Sequence, residues 1–177
     1  LGMLSIGGTS DEALQHHANN WKICEQTASE NGKTVSRENW RVVTLAHIAD
    51  TKEQALENVK FGIEKWAQYF REIATFPIVP DGIENAVEFL MENNMACLGT
   101  PDDAIQHIEK LQKGTGGVGA YPELAHNWAD WYPTKRHHEF MSRHFAPHSQ
   151  GFNDSRRTID DSSFNKRHLL LRPAAAT

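Results

Sequence analysis

The sequence predicts an α/β fold built on parallel strands, incomplete as given and part of a closed barrel. Three observations carry that reading. Strand-like and helix-like segments alternate through the first 150 residues, the pattern of parallel strands joined by right-handed crossovers. The longest strand-like run, Trp40-Arg41-Val42-Val43-Thr44-Leu45-Ala46-His47-Ile48, is almost wholly apolar after Arg41, as suits a strand covered on both faces. About three strands of this kind make a small open sheet, whose second face and edges stay bare unless more strands close it.

The elements follow in chain order. Met3–Ile6 is a short apolar run ending at Gly7-Gly8, the first strand. Thr9-Ser10-Asp11-Glu12 then starts a helix, with Thr9 as cap and Glu12 reaching back to it. The second strand is Trp40–Ile48. Thr51-Lys52-Glu53-Gln54 repeats the cap directly after it. One amphipathic helix is expected from there, with Ala55, Val59, Ile63, Trp66, Phe70 and Ile73 at helical spacing. Asp81-Gly82-Ile83-Glu84 is a looser helix start, leading an extra helix around Gly82–Asn93 with Ala86, Val87, Leu90 and Met91 inward. Met95–Leu98 reads as a strand or only a loop. Thr100-Pro101-Asp102-Asp103 is a capped start with Pro at the first helical position, followed by the stripe Ala104, Ile105, Ile108 and Leu111. Gly114-Thr115-Gly116-Gly117-Val118-Gly119 is a helix stop and loop. It precedes a strand, so it lacks the strand-to-helix setting of a phosphate cradle. Val118–Leu124 is the third strand, weakened by Pro122. The last helix is expected over about Asp130–Phe145, with Phe140, Met141 and Phe145 buried.

Composition narrows the function. The chain has 177 residues and a net charge of −5, with mean hydropathy −0.58. No apolar run is long enough for a membrane span, and no basic footprint suits a nucleic acid. Cys24 and Cys97 make no disulfide scaffold, which points to a reducing, cytoplasmic location. The first residues have no basic stretch of the kind that opens a signal peptide. Residues 151–177 are polar apart from Leu169-Leu170-Leu171 and a terminal Ala run, and are expected to be a disordered tail beside the domain at 1–150.

A family pattern adds to this. Leu1-Gly2-Met3-Leu4-Ser5-Ile6-Gly7-Gly8-Thr9-Ser10, then Trp40 to Thr51, then Gly99-Thr100-Pro101-Asp102-Asp103-Ala104-Ile105 occur in order, followed by Gly116-Gly117-Val118-Gly119-Ala120 and Ala125-His126-Asn127-Trp128-Ala129-Asp130. Over about residues 1–152 the set resembles the C-terminal part of a bacterial luciferase-like flavin-dependent monooxygenase, in its limonene-monooxygenase-like branch. The resemblance implies the last three strands, with their helices, of a (β/α)8 TIM barrel. It implies FMN or another reduced flavin as cofactor and O2 as co-substrate. It also implies a small apolar organic substrate, a separate flavin reductase as partner, and room for a homo-oligomer. As a portion of a barrel, the chain is expected to be inactive or incomplete alone. The competing expectation is a non-catalytic fragment that docks through its exposed sheet.

In a barrel, chemistry gathers at the C-terminal ends of the strands. That rule selects His47 as the catalytic candidate, a polar group titrating near neutrality at an apolar strand end. Its plain alternative is a buried histidine bonded to its neighbours. Gly7 and Trp128 are the cofactor-binding candidates: a glycine admits a close ligand, and an indole stacks on a flat ring. Their alternatives are a tight turn and packing under the last helix. Tyr121 and His126 are the substrate-binding candidates, with Glu123 at the same strand end. His137, His138, His144 and His148 cluster near the last helix, but spacing completes no ligand set, so no metal is expected. Cys24 has no histidine partner in range and is no nucleophile candidate.

Overall fold

In a computed structural model, the described residues are 3–74, 76–124 and 126–147. The expected tail at 151–177 lies outside them. The fold is a mixed α/β arrangement with parallel strands. The strand β1 (Met3–Ile6) pairs in parallel with β2 (Trp40–Val43), and β3 (Leu45–Ile48) pairs in parallel with β4 (Ala96–Gly99). Thr44 separates β2 from β3, so the expected single strand is two consecutive ones.

The strand inventory differs from expectation at two further places. Met95–Leu98, which the sequence leaves open between strand and loop, is the fully buried β4. Val118–Leu124 is reduced to two bridges, Arg41 with Ala120 and Thr44 with Glu123. Pro122 supplies no N–H to a ladder. The segment nevertheless lies close to its neighbour. Gly119 N–H donates to the Trp40 carbonyl at 2.9 Å, and a Cβ at Gly119 would collide with the Glu38 carbonyl. The paired strands do not form a closed barrel among the described residues. β1 leaves Leu4 70% exposed and Ile6 40% exposed.

The helices start close to where the caps place them. Helix α1 (Asp11–Glu30) is capped by Ser10, whose side chain accepts from the Ala13 N–H, and not by Thr9. The Thr9 hydroxyl instead lies 3.4 Å from His107 Nδ1. Thr51 caps α2 (Lys52–Val59) as expected. The helix expected to run on to Ile73 breaks at Gly62 into α2 and α3 (Ile63–Glu72). The break follows from a docked loop: Gly62 N–H donates to the Trp128 carbonyl at 2.9 Å, and a Cβ there would strike the Asn127 carbonyl. Ile73, expected inward, is exposed just past the end of α3. Asn85, not Asp81, caps α4 (Ala86–Glu92). Thr100 and Asp103 form a reciprocal capping box on α5 (Pro101–Thr115). The last expected helix is α6 (Trp131–Phe140), capped by Asp130, running into a π turn at Met141–Phe145. Phe140 is buried, while Met141 and Phe145 are partly so.

Three apolar clusters hold these elements. One joins β2 to α1 and α5 through Leu14, Trp21, Trp40, Val42, Leu111 and Val118. Another joins β3 and β4 to α3 and α4 around Val59, Ile63, Leu90, Leu98 and Trp128. The third packs Ala46, Ile48, Cys97 and Ala104 against Phe140. No helix among the described residues is long and apolar enough to cross a membrane.

Candidate functional site

The C-terminal end of β3 gathers four titratable side chains. His47 comes from β3 itself, Glu123 and His126 from the bridged segment beside it, and His137 from α6. His47 and His137 are each 1% exposed. Their rings stack with centroids 5.3 Å apart. His47 Nε2 lies 3.2 Å from the Asn58 side-chain amide, on α2. His126 Nε2 donates to the Ala46 carbonyl at 3.0 Å. His137 Nδ1 accepts the Ile48 N–H at 3.0 Å, and its Nε2 lies 2.6 Å from Glu123 Oε1.

Burial dominates the electrostatics. It pushes the His47 pKa down to about 4, and the nearby His137 and His126 push the same way, while Glu123 opposes. Burial also takes His126 to about 4, against the raising effects of the Ala46 carbonyl and Glu123. Both imidazoles are therefore neutral at pH 7. A neutral ring can donate one N–H and accept at its other nitrogen, without placing a cation at the strand end.

Glu123, His137 and the exposed His138 bring ligand atoms within 4.8 Å of one another, a grouping that spacing along the chain did not reveal. The hydrogen bonds argue against a cation there. The Ile48 N–H occupies the Nδ1 lone pair of His137, so the ring proton sits on Nε2, the atom that faces Glu123. Nε2 then has no lone pair for a metal.

His126 also opens on a cleft of about 570 Å³ between α3 and the loop before Trp128. Phe61, Trp66, Tyr69, Phe70 and Leu124 give it apolar walls, while Lys65 and Asn127 add polar groups. That combination suits a small, largely apolar ligand. Trp128 is fully buried, its face stacked on His126 at 3.9 Å and its ring in edge contact with Trp66 at 4.9 Å. Its influence on the cleft passes through those two rings. Tyr121 packs against the α1–α5 cluster, away from this cleft. Gly7 stands at the turn after β1, where a Cβ would press on the His17 ring at 2.9 Å. Of the sequence-selected residues, the fold thus brings together His47, His126 and Trp128, and leaves Tyr121 and Gly7 apart. Asn58 and the Glu123–His137 pairing were missed, because each depends on a meeting between separate elements.

Comparison with known proteins supplies the family. No family model matches the chain. It is 33% identical over 151 residues to limonene 1,2-monooxygenase of Rhodococcus erythropolis, covering 85% of this chain and 39% of that protein. It is 30% identical over 133 residues to 4-hydroxyprotoasukamycin monooxygenase of Streptomyces nodosus subsp. asukaensis, covering 74% of this chain and 36% of that protein. Among solved structures, it resembles the oxygenating constituent of 3,6-diketocamphane monooxygenase from Pseudomonas putida, a type II Baeyer-Villiger monooxygenase in complex with FMN. That match has a TM-score of 0.58 and 26% identity, over 82% of this chain and 42% of the other. Over most of its length the chain resembles the luciferase-like flavin monooxygenase family. It spans well under half the length of the curated family members it matches. The monooxygenase RslO1 from Streptomyces bottropensis shares the fold, with a TM-score of 0.54 at 14% identity, over 84% of this chain and 48% of the other.

Proposed function

We propose that this chain is the C-terminal portion, within residues 1–150, of a (β/α)8-barrel monooxygenase. In this reading the enzyme uses reduced FMN and O2 to oxygenate a small apolar organic substrate, in the cytoplasm, with a separate flavin reductase as partner. One observation supports it above the family relation: neutral, buried His47 and His126 stand at a parallel-strand end, and His126 forms a wall of an apolar cleft.

The described residues fit the ring of a flavin and not its phosphate. The cleft offers aromatic surface from Phe61, Trp66, Tyr69 and Phe70, with Asn127 and Lys65 as polar partners and the His126 ring as part of the wall. The helix N-termini that follow strands are closed to an anion. Ser10 caps α1 beside Asp11 and Glu12, Thr51 caps α2 beside Glu53, and Asp103 folds its carboxylate back onto Thr100 at the start of α5. When bound, a reduced flavin supplies the electrons that activate O2. The chain's own residues bind and orient. The aromatic walls exclude water, His47 holds a neutral imidazole at the strand end, and Asn58 fixes its Nε2. Trp128 backs His126 from the core.

Fluorescence titration of the purified chain with FMN and with lumiflavin, which lacks the phosphate, tests this reading. Both should be quenched, with affinities within about threefold, because no phosphate contact separates them. Absence of quenching by either overturns the ring assignment, and a clear advantage for FMN overturns the incomplete site. The exposed Leu4 and Ile6 on β1 favour a second reading, an inert fragment that docks through its sheet. That reading expects self-association in sedimentation without flavin binding.

A further inference from the structure

The strand running through β2 and β3 meets two kinds of partner along one edge. In a parallel ladder the N–H and C=O of one residue point to the same side, and those of the next residue to the other. The even-numbered residues define the edge in question. Val42 N–H donates to the Ala120 carbonyl at 3.1 Å and Thr44 N–H to the Pro122 carbonyl at 3.0 Å, while the Thr44 carbonyl accepts from Leu124 N–H at 3.1 Å. The odd-numbered Ala49 donates to Gly99 on the opposite side. Beyond Leu124, side chains take over the even edge. The Ala46 carbonyl accepts from His126 Nε2 and the Ile48 N–H donates to His137 Nδ1, both at 3.0 Å.

We propose that His126 and His137 are positioning residues: two imidazoles of fixed tautomer that replace strand backbone along the second edge of β3 and so hold the strand end that carries His47. Each ring has both nitrogens committed. His126 must carry its proton on Nε2 to donate to a carbonyl, and its Nδ1 receives the Trp128 N–H at 3.4 Å. His137 must leave Nδ1 bare to receive the Ile48 N–H, so its Nε2–H points to Glu123 Oε1. Glu123 itself belongs to the bridged segment, through its pairing with Thr44. The chain is therefore tied from Glu123 through His137 to Ile48, and from Trp128 through His126 to Ala46. His47 lies between those two anchors on β3. The stacking of His47 on His137 fixes the ring on one side, and Asn58 holds Nε2. The groups facing His137 and His126 are Glu123, His47 and His138. An unpaired backbone group at the buried end of a strand is costly, and these imidazoles remove two such groups.

The part of this proposal that concerns catalysis rests on the proposed role of His47, whereas the edge itself is tested without any flavin. Long-range 1H–15N spectra of the full chain, labelled at histidine, should show the Nε2–H tautomer for the neutral rings of His126 and His137. An Nδ1–H form, or exchange between tautomers, at either ring overturns the proposal. Two substitutions separate the contacts of His137. Asparagine places an oxygen near the position of Nδ1, and glutamine extends an amide toward the position of Nε2. Amide exchange at Ile48 should stay within about threefold of the parent in His137→Asn and rise about tenfold or more in His137→Gln. Equal exchange in the two variants overturns the assignment. Should neither variant fold, the tautomers of the parent chain decide. Failure of lumiflavin to bind defeats the functional reading and leaves these results standing.

Discussion

The two halves of one strand, β2 and β3, are stabilised by opposite means. Around β2 the solution is apolar. Trp40 is fully buried, stacked on Trp21 at 5.1 Å, with the Arg37 guanidinium 5.1 Å from the Trp21 ring and 5.5 Å from that of Trp40. Around β3 the interior is apolar on one side and lined with imidazoles on the other. Hydrophobic burial tolerates many arrangements of similar volume, whereas a buried polar network works only when each member is matched. The difference predicts that β2 is sensitive to lost volume and β3 to lost or gained protons.

Acid should give the largest effect. His47 and His126 have pKa values near 4 when folded, against about 6.5 when unfolded. Between those values the unfolded chain binds more protons, so their stability contribution is complete above pH 6.5 and is lost as pH falls toward 4. Every tenfold difference in proton affinity between the folded and unfolded chain corresponds to about 1.4 kcal/mol, so the pair loses several kcal/mol, a large fraction of a domain's stability. His107, also lowered to about 4, adds to the loss from the α5 side. Urea unfolding at pH 7, 5.5 and 4.5 measures the fall. His47→Gln should flatten it by the share of that group. An unchanged pH slope in the variant would place the acid sensitivity elsewhere.

Trp40→Ala comes next and acts on β2. Removing a fully buried indole stacked on another should cost about 3–5 kcal/mol. Urea unfolding at pH 7 reads it, and the pH slope between 6.5 and 4 should be unchanged. If the slope falls as well, the two halves are not independent.

Local features were more legible in the sequence than meetings between distant segments, for a physical reason. Strand position, capping and apolar spacing are local, and Met3–Ile6, Thr51 and the Thr100–Asp103 box follow from neighbouring residues alone. The departures arise where a distant segment intervenes. The loop at Asn127–Trp128 breaks the α2–α3 run at Gly62. Pro122, with no N–H for a ladder, leaves the expected third strand as isolated bridges. His47 and His126 were selectable because polar groups stand out at an apolar strand end. The tautomers of His126 and His137 depend on which backbone groups of β3 lack a strand partner. That is a property of pairing, which residue spacing does not encode.

A smaller effect on β2 comes from the polar tie of its buried tryptophan. The Trp40 indole N–H donates to Ser5 Oγ at 2.9 Å, linking β2 to β1 inside the apolar cluster. Ser5→Ala leaves that donor buried without its acceptor, at a cost of about 1–3 kcal/mol. Denaturation midpoints measure it, and a loss below the detection limit would mean that water reaches the indole. The contrast with Trp40→Ala then separates the hydrogen bond from the packing of the ring.

The smallest stability effect is expected at the cleft that His126 joins to β3. Phe61 is 61% exposed just before α3, so Phe61→Ser removes little buried surface. Its cost should stay within about 0.5 kcal/mol, as for surface positions in general. The same side chain is part of the apolar wall, and deleting it takes contact area from any ligand seated there. Lumiflavin affinity should fall several-fold while the urea midpoint holds. A parallel loss of stability and affinity would make Phe61 part of the core around β3, and unchanged affinity would move the ring site away from this cleft. Trp66→Ser sharpens the test: Trp66 contacts the Trp128 ring, so its removal should lower both quantities.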